Sequence, residues 1–287
     1  MGKTVYAYQI MNDKDIPDTI VRTSTIPEEL GRIEYFLSDK TGTLTKNDME
    51  LKKLHMGTMS YGVESLEDLS NQLAAAFQQT KESTSGRHHP HGKSKRDMTS
   101  RVRDIVLALA LCHNVTPVVD DGEEPTYQAS SPDEIAIVRW TERVGLTLVF
   151  RDMNEIHLRT RNDTILEFQI LHTFPFTSES KRMGIVVKDK ATNEIMFYQK
   201  GADVVMSRIV HYNDWLDEEC GNMAREGLRT LVIARKRLSD DAKSSISDRK
   251  AQESAVVSSI LENDLELLGV TGVEDKLQDG PVLKYGC

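Results

Sequence analysis

Between residues 104 and 265 the apolar positions follow two spacings. Short runs rich in Val, Ile, Phe and Tyr, bounded by turn residues, predict strands over 146–150, 164–172, 183–189, 194–200 and 229–236. Asn162-Asp163 and Thr192-Asn193 read as tight turns between them. Helical spacing predicts helices over 99–113, 132–144, 203–212 and 214–227. The second begins at Ser131, with Pro132 at its first position and Glu134 at its third. That is a capping-box pattern, in which the Glu carboxylate reaches back to the helix start. Upstream, the apolar run 33–37 predicts a further strand, and 265–273 predicts the last one. Pro17 and Pro27 interrupt any long element in the first 32 residues.

Composition narrows the class. The chain has 287 residues, with 36 Lys plus Arg against 45 Asp plus Glu, so 36 − 45 gives a net charge of −9. That balance argues against a nucleic-acid binder, which carries a basic footprint. Cys112, Cys220 and Cys287 are too scattered for a disulfide framework or a zinc site. The longest clean apolar run, Ile105 to Cys112, falls far short of the ~20 residues a spanning helix needs. A soluble chain is therefore expected. Residues 78–103 depart from the rest, with His88, His89, His91 and a run of Lys and Arg. They read as a mobile insertion too polar to offset its ordering entropy.

The strongest chemical signal is Asp39-Lys40-Thr41-Gly42-Thr43, set directly after the 33–37 run. In α/β sheets, ligands bind beyond the carboxyl ends of strands. A carboxylate there can accept a phosphoryl group as an acyl phosphate. Lys40 adds positive charge, and the backbone N–H groups of a Thr/Gly loop can cradle phosphate oxygens.

This pentapeptide resembles the phosphorylation motif of the P-type ATPases, and the likeness runs over about residues 1–278 apart from the insertion. It includes Ser130-Ser131-Pro132-Asp133-Glu134, Phe174-Pro175-Phe176-Thr177-Ser178, Lys181-Arg182-Met183, Lys200-Gly201-Ala202-Asp203, Gly227-Leu228-Arg229-Thr230-Leu231 and Thr271-Gly272-Val273-Glu274-Asp275-Lys276. Leu37 and Asp203 resemble the phospholipid flippases (P4 class), where cation pumps carry Cys and Pro. Cys112-His113-Asn114 and Asn213-Asp214-Trp215-Leu216 are most similar to the endosomal and trans-Golgi subgroup that works without an accessory β-subunit.

The resemblance implies an α/β chain: an α+β nucleotide-binding (N) domain with an antiparallel sheet, inserted into a partial haloacid-dehalogenase-like, Rossmannoid phosphorylation (P) domain. The implied layout is a stalk or linker over 1–32, the first part of the P domain over 33–55 and the N domain over 56–265. A return into the P domain over 266–278 and a divergent tail over 279–287 complete it. Asp39 is the implied catalytic nucleophile. ATP would be held by Asp39, Lys40, Thr41, Glu134, Phe176, Ser178, Lys181, Lys200 and Arg229, and Mg²⁺ by Asp39 and Thr41. Phospholipid would be handled by a separate membrane domain, and this segment would lie on the cytosolic face of an endomembrane, the trans-Golgi network or endosome. Thr41 stands where soluble phosphatases of that fold carry a second Asp as acid/base, which favours a long-lived phosphoenzyme. The alternatives are a non-catalytic ATP-binding module derived from such a pump and a soluble haloacid-dehalogenase-type phosphotransferase.

Overall fold

The computed structural model describes residues 2–35, 37–84, 98–118, 126–211, 213–239 and 261–278. The expected insertion thus lies mostly outside the described residues, including His88, His89 and His91. Its two flanks are helical. The chain forms two compact units, Asn47–Leu277 and a smaller one built from Met1–Lys46 with Gln278–Cys287.

The small unit holds α1 (Gly2–Met11) and α2 (Ile26–Leu30). The strand expected over 33–37 does not form, and Ile33, Tyr35 and Leu37 are exposed. A strand exists only where a neighbour satisfies its N–H and C=O groups, and among the described residues of this unit none pairs with it. Residues 40–45 instead wind around one carbonyl. Lys40 O accepts the backbone N–H of Leu44 at 2.9 Å and of Thr45 at 3.2 Å. Gly42 takes the left-handed conformation, φ +79°, that this tight winding requires.

The elements of the large unit are, in chain order, β1 (Thr45–His55, which begins in the small unit), β2 (Ser60–Gly62), α3 (Leu66–Thr84) and α4 (Met98–Leu111). They continue with β3 (Thr116–Val118), β4 (Thr126–Gln128), α5 (Pro132–Val144), β5 (Leu146–Arg151), β6 (Glu155–Thr160) and β7 (Ile165–Phe174). The rest are β8 (Arg182–Asp189), β9 (Ile195–Gly201), α6 (Asp203–Met206), α7 (Leu216–Arg225), β10 (Arg229–Leu238) and β11 (Glu266–Leu277). Nine strands make one sheet in the order β2-β1-β11-β10-β9-β8-β7-β6-β5. From β5 to β11 every neighbouring pair is antiparallel. This bears out the expected antiparallel sheet. The 265–273 run is a strand as expected, but β11 belongs to this large sheet: residues 268–273 are all buried beside β10, with Leu268 and Val273 in one core cluster and Val270 in the other.

Both faces of the sheet are covered. Ile105, Leu109 and Leu111 of α4, with Ile137 and Val138 of α5 and Leu69 and Leu73 of α3, pack on one side against Ile185 and Val187. On the other side Met206, Leu216 and Met223 pack against Val186, Phe197 and Val232. Helix α4 is also tied to the sheet by a buried ion pair, Asp104 to Arg235 at 2.6 Å. Helix α5 matches its expected bounds and ends at Gly145, φ +104°.

Candidate functional site

The antiparallel order brings four strand ends together. β7 runs out at Phe174 and β8 begins at Arg182, opposite Gly201 at the end of β9. β10 starts at Arg229, three residues before Val232 pairs with Gly201. The loop 175–181, Lys200 and Arg229 therefore share one end of the sheet. The loop is closed on itself: Thr177 Oγ1 accepts the N–H of Ser180 at 3.0 Å, and Thr177 O accepts that of Lys181 at 2.9 Å. Lys181 O in turn accepts the N–H of Ala202 at 3.0 Å. The loop presents Phe176 to solvent, 60% exposed, with Ser178 and Lys181 also exposed. An aromatic ring left open at that level does not serve the core.

Helix α5 delivers two carboxylates to the same end. The capping box is not formed, since Ser131 makes no side-chain cap to the helix. Glu134 instead turns inward to Lys200, its Oε1 lying 3.2 Å from Nζ. Both residues are nearly enclosed, Glu134 8% exposed and Lys200 5%. A buried ammonium draws the carboxylate more strongly than a local N–H does. Lys200 Nζ nonetheless makes no hydrogen bond among the described residues. Next in sequence, Asp133 Oδ2 accepts a hydrogen bond from Arg229 Nη1 at 2.5 Å.

Behind this pair lies a layer that sequence reasoning did not single out as part of the site. The N–H of Asn114 donates to Glu134 Oε2 at 3.3 Å. The turn carrying it is pinned by His113, which is fully buried. Its Nε2 lies 2.8 Å from Ala110 O and so donates, while Nδ1 accepts from the N–H of Val115 at 3.0 Å and from Arg151 Nη1 at 3.2 Å. Burial holds the imidazole well below its ordinary pKa, and the Arg151 and Lys200 charges push it the same way. Burial also raises the Cys112 thiol to about 11, against the pull of Lys200. This interior therefore holds a neutral imidazole and a neutral thiol beside two cations and one carboxylate. The signal available in the sequence was the run Cys112-His113-Asn114 itself, which only served as a likeness.

The second group of expected site residues lies in the small unit. Asp39, Lys40 and Thr41 are exposed, and Asp39 Oδ1 accepts the N–H of Lys40 at 2.8 Å. Asp39 thus stands at the head of the wound loop rather than at a strand end. Among the described residues no group of three or more His, Cys, Asp or Glu could hold a metal ion. Asp39 and Thr41 offer one carboxylate and one hydroxyl, too few for the near-octahedral oxygen set of Mg²⁺. These residues do not fit that ion on their own. No helix among the described residues is long and apolar enough to cross a membrane.

Comparison with known proteins bears on the family of the chain. Residues 101–280 match the family model described as P-type ATPase, cytoplasmic domain N. Among curated proteins, the chain is 52% identical to "Probable phospholipid-transporting ATPase IIB" of Bos taurus, over 97% of this chain and 28% of that protein. It is 56% identical to "Phospholipid-transporting ATPase NEO1" of Saccharomyces cerevisiae, over 97% of this chain and 25% of that one. It is 51% identical to "Probable phospholipid-transporting ATPase tat-5" of Caenorhabditis elegans, over 97% and 26%. The chain thus spans about a quarter of the length of these relatives. Seven of the nine strands of the large sheet, β5 to β11, lie within the matched region, and the chain belongs to the P-type ATPases through their cytoplasmic N domain.

Proposed function

We propose that the chain is the ATP-binding and aspartyl-phosphorylation segment of a phospholipid-translocating P-type ATPase. The observation that carries the reading is the gathering, at one end of one sheet, of an open aromatic ring and three cations from four separate strand ends. Adenine stacks on Phe176, and the phosphates are drawn by Lys181, Lys200 and Arg229, with Glu134 orienting Lys200. Ser178 faces the ligand from the same loop. Asp39 accepts the γ-phosphoryl group: a carboxylate oxygen forms the bond to phosphorus, the bond to the β-phosphate oxygen breaks, and ADP leaves. Lys40 and the backbone of the loop neutralise the charge that moves, as phosphoryl transfer demands of its protein. Asp39 and Thr41 would supply only two of the oxygen ligands of a Mg²⁺, whose charge would be set chiefly against the nucleotide's own phosphates.

Lipid transport enters from the relatives, whose names carry it. An endomembrane position facing the cytosol, with no accessory β-subunit, is part of the same proposal and rests on the likeness of Cys112-His113-Asn114 and Asn213-Asp214-Trp215-Leu216 to the endosomal and trans-Golgi subgroup. The test is calorimetric titration of ATP into the 287-residue chain and its Phe176→Ala variant. Stacking of a base on an aromatic face is worth about 1–3 kcal/mol, so affinity should fall by at least fivefold. Equal affinity would take Phe176 out of the site. In the full-length pump, Asp39→Asn should abolish an acid-stable, hydroxylamine-labile phosphoenzyme.

A further inference from the structure

The two enclosed or half-enclosed cations of the site are each matched to an acid on the first turn of α5, and the two pairs differ. Lys200 and Glu134 are both buried. Arg229 is 52% exposed by its side chain, while Asp133 is 14% exposed. Asp133 is the fixed member: it sits on the helix, and Ser131 Oγ donates to its Oδ2 at 3.4 Å. Arg229 is the free member, two residues after Gly227, whose φ of +81° marks a tight turn. The other oxygen of Asp133, Oδ1, is buried and has no hydrogen-bond partner among the described residues. So the carboxylate is held in place with one of its two oxygens unsatisfied among the described residues, and its cationic partner Arg229 is the side chain most able to leave.

Charges at this end include Asp133, Glu134, Glu179 and Asp203 against Lys181, Lys200 and Arg229, while Arg182 is paired with Glu262 at 2.6 Å. Of Lys181, Lys200 and Arg229, the latter two have an ion pair among the described residues and Lys181 has none. A polyanion arriving here finds the guanidinium already occupied. A carboxylate and a phosphate compete for the same donors, because both accept the planar fork of Arg.

On the reading of the site as a nucleotide site, we propose that Asp133 is an affinity-setting residue. It occupies Arg229 in place of phosphate and must be displaced from it when a phosphorylated nucleotide binds. Its effect falls on the phosphate end of the ligand and not on the base. The contact keeps binding loose, so that a spent nucleotide leaves readily.

The experiment is calorimetric titration of ATP and of adenosine into the 287-residue chain, Asp133→Asn, Arg229→Ala and the double variant, with circular dichroism checking that each is folded. Asp133→Asn should bind ATP about fivefold tighter, the upper end for an ion pair open to solvent on one side, with adenosine binding unchanged. In the Arg229→Ala background the same substitution should change ATP affinity by less than about twofold, since its target is gone. Asp133→Ser, which keeps a residue favoured at helix starts, serves if the Asn variant does not fold. Weaker or equal ATP binding in Asp133→Asn would overturn the proposal and make Asp133 a support for Arg229. An undiminished gain without Arg229 would overturn it too, by showing general charge repulsion. If the unsubstituted chain binds no ATP, the nucleotide reading falls and this inference with it. If it binds ATP and Asp133→Asn shows no gain, only this inference falls.

Discussion

The pair Lys200–Glu134 can be made to reveal whether it exists for folding or for ligand. At 3.2 Å, in surroundings of effective dielectric near 20, the two charges attract by about 5 kcal/mol. Most of that offsets the cost of enclosing them. Glu134→Gln keeps the shape and the acceptor for Asn114 N–H but leaves the ammonium alone, with Arg151 also close by. Breaking one side of an enclosed pair costs about 3–5 kcal/mol. We expect Glu134→Gln to lose about 3–4 kcal/mol in urea denaturation followed by circular dichroism. The double variant Glu134→Gln/Lys200→Met should recover to within about 1 kcal/mol of the parent, since neutral replacement of both partners removes the cost of desolvating two charges. That recovered protein should nevertheless fail to bind ATP in calorimetry. A single-variant loss under about 1 kcal/mol would refute the claim that the pair is enclosed. A double variant that binds ATP normally would show that Lys200 meets no phosphate.

Two further outcomes are expected. His113 is held neutral in the folded chain, below its unfolded pKa near 6.5. The unfolded state therefore binds the extra proton, and stability contributed by this residue is intact above pH 6.5 and falls by up to about 1.36 kcal/mol per unit below it. Its ring signals in NMR should not titrate between pH 7.5 and 5.5, and a full titration there would contradict the burial. Gly201→Ala would place a methyl 2.6 Å from Arg182 Cβ and 2.9 Å from Lys181 O. It should cost about 1–3 kcal/mol, seen as a lower Tm, and should weaken ATP binding by shifting Lys181; a variant as stable as the parent would argue against so close an approach.

Local pattern was enough for the strands near 146, 165, 183, 195 and 229, where β-branched and aromatic residues sit between turn residues. It was not enough for β1. There Lys52 and Lys53 interrupt the apolar alternation, and they are tolerated only because Glu50, Glu274, Glu219 and Glu226 pair with them from their own and neighbouring elements. Helix α3 was legible in the spacing of Leu66, Leu69, Leu73 and Ala76, but the polar insertion that follows masked it. Residues 33–37 show the converse: their composition says strand, and among the described residues no partner makes one. Glu134 shows a local rule losing to a distant charge. The site candidates were readable from residue type and likeness, and six of them do converge. Their partners were not readable, because Asp133 meets Arg229 across 96 positions and His113 meets Arg151 across 38.

Strands β1 and β11, through which the chain passes into and out of the large unit, are neighbours in the sheet. Asp48 and Lys276 lie 2.9 Å apart across them, and Gln278 N–H reaches Leu44 O at 3.1 Å. To whatever chain surrounds it, this whole body therefore presents the footprint of a hairpin turn. A folded insert with adjoining ends adds little of the closure entropy that a flexible loop of that length would impose. The unit is consequently portable: residues 47–277 spliced into an exposed hairpin of an unrelated scaffold should leave that scaffold's register undisturbed. Joining the two ends through a short linker and opening the chain at the exposed 162–163 turn should likewise yield a permuted domain with the same sheet.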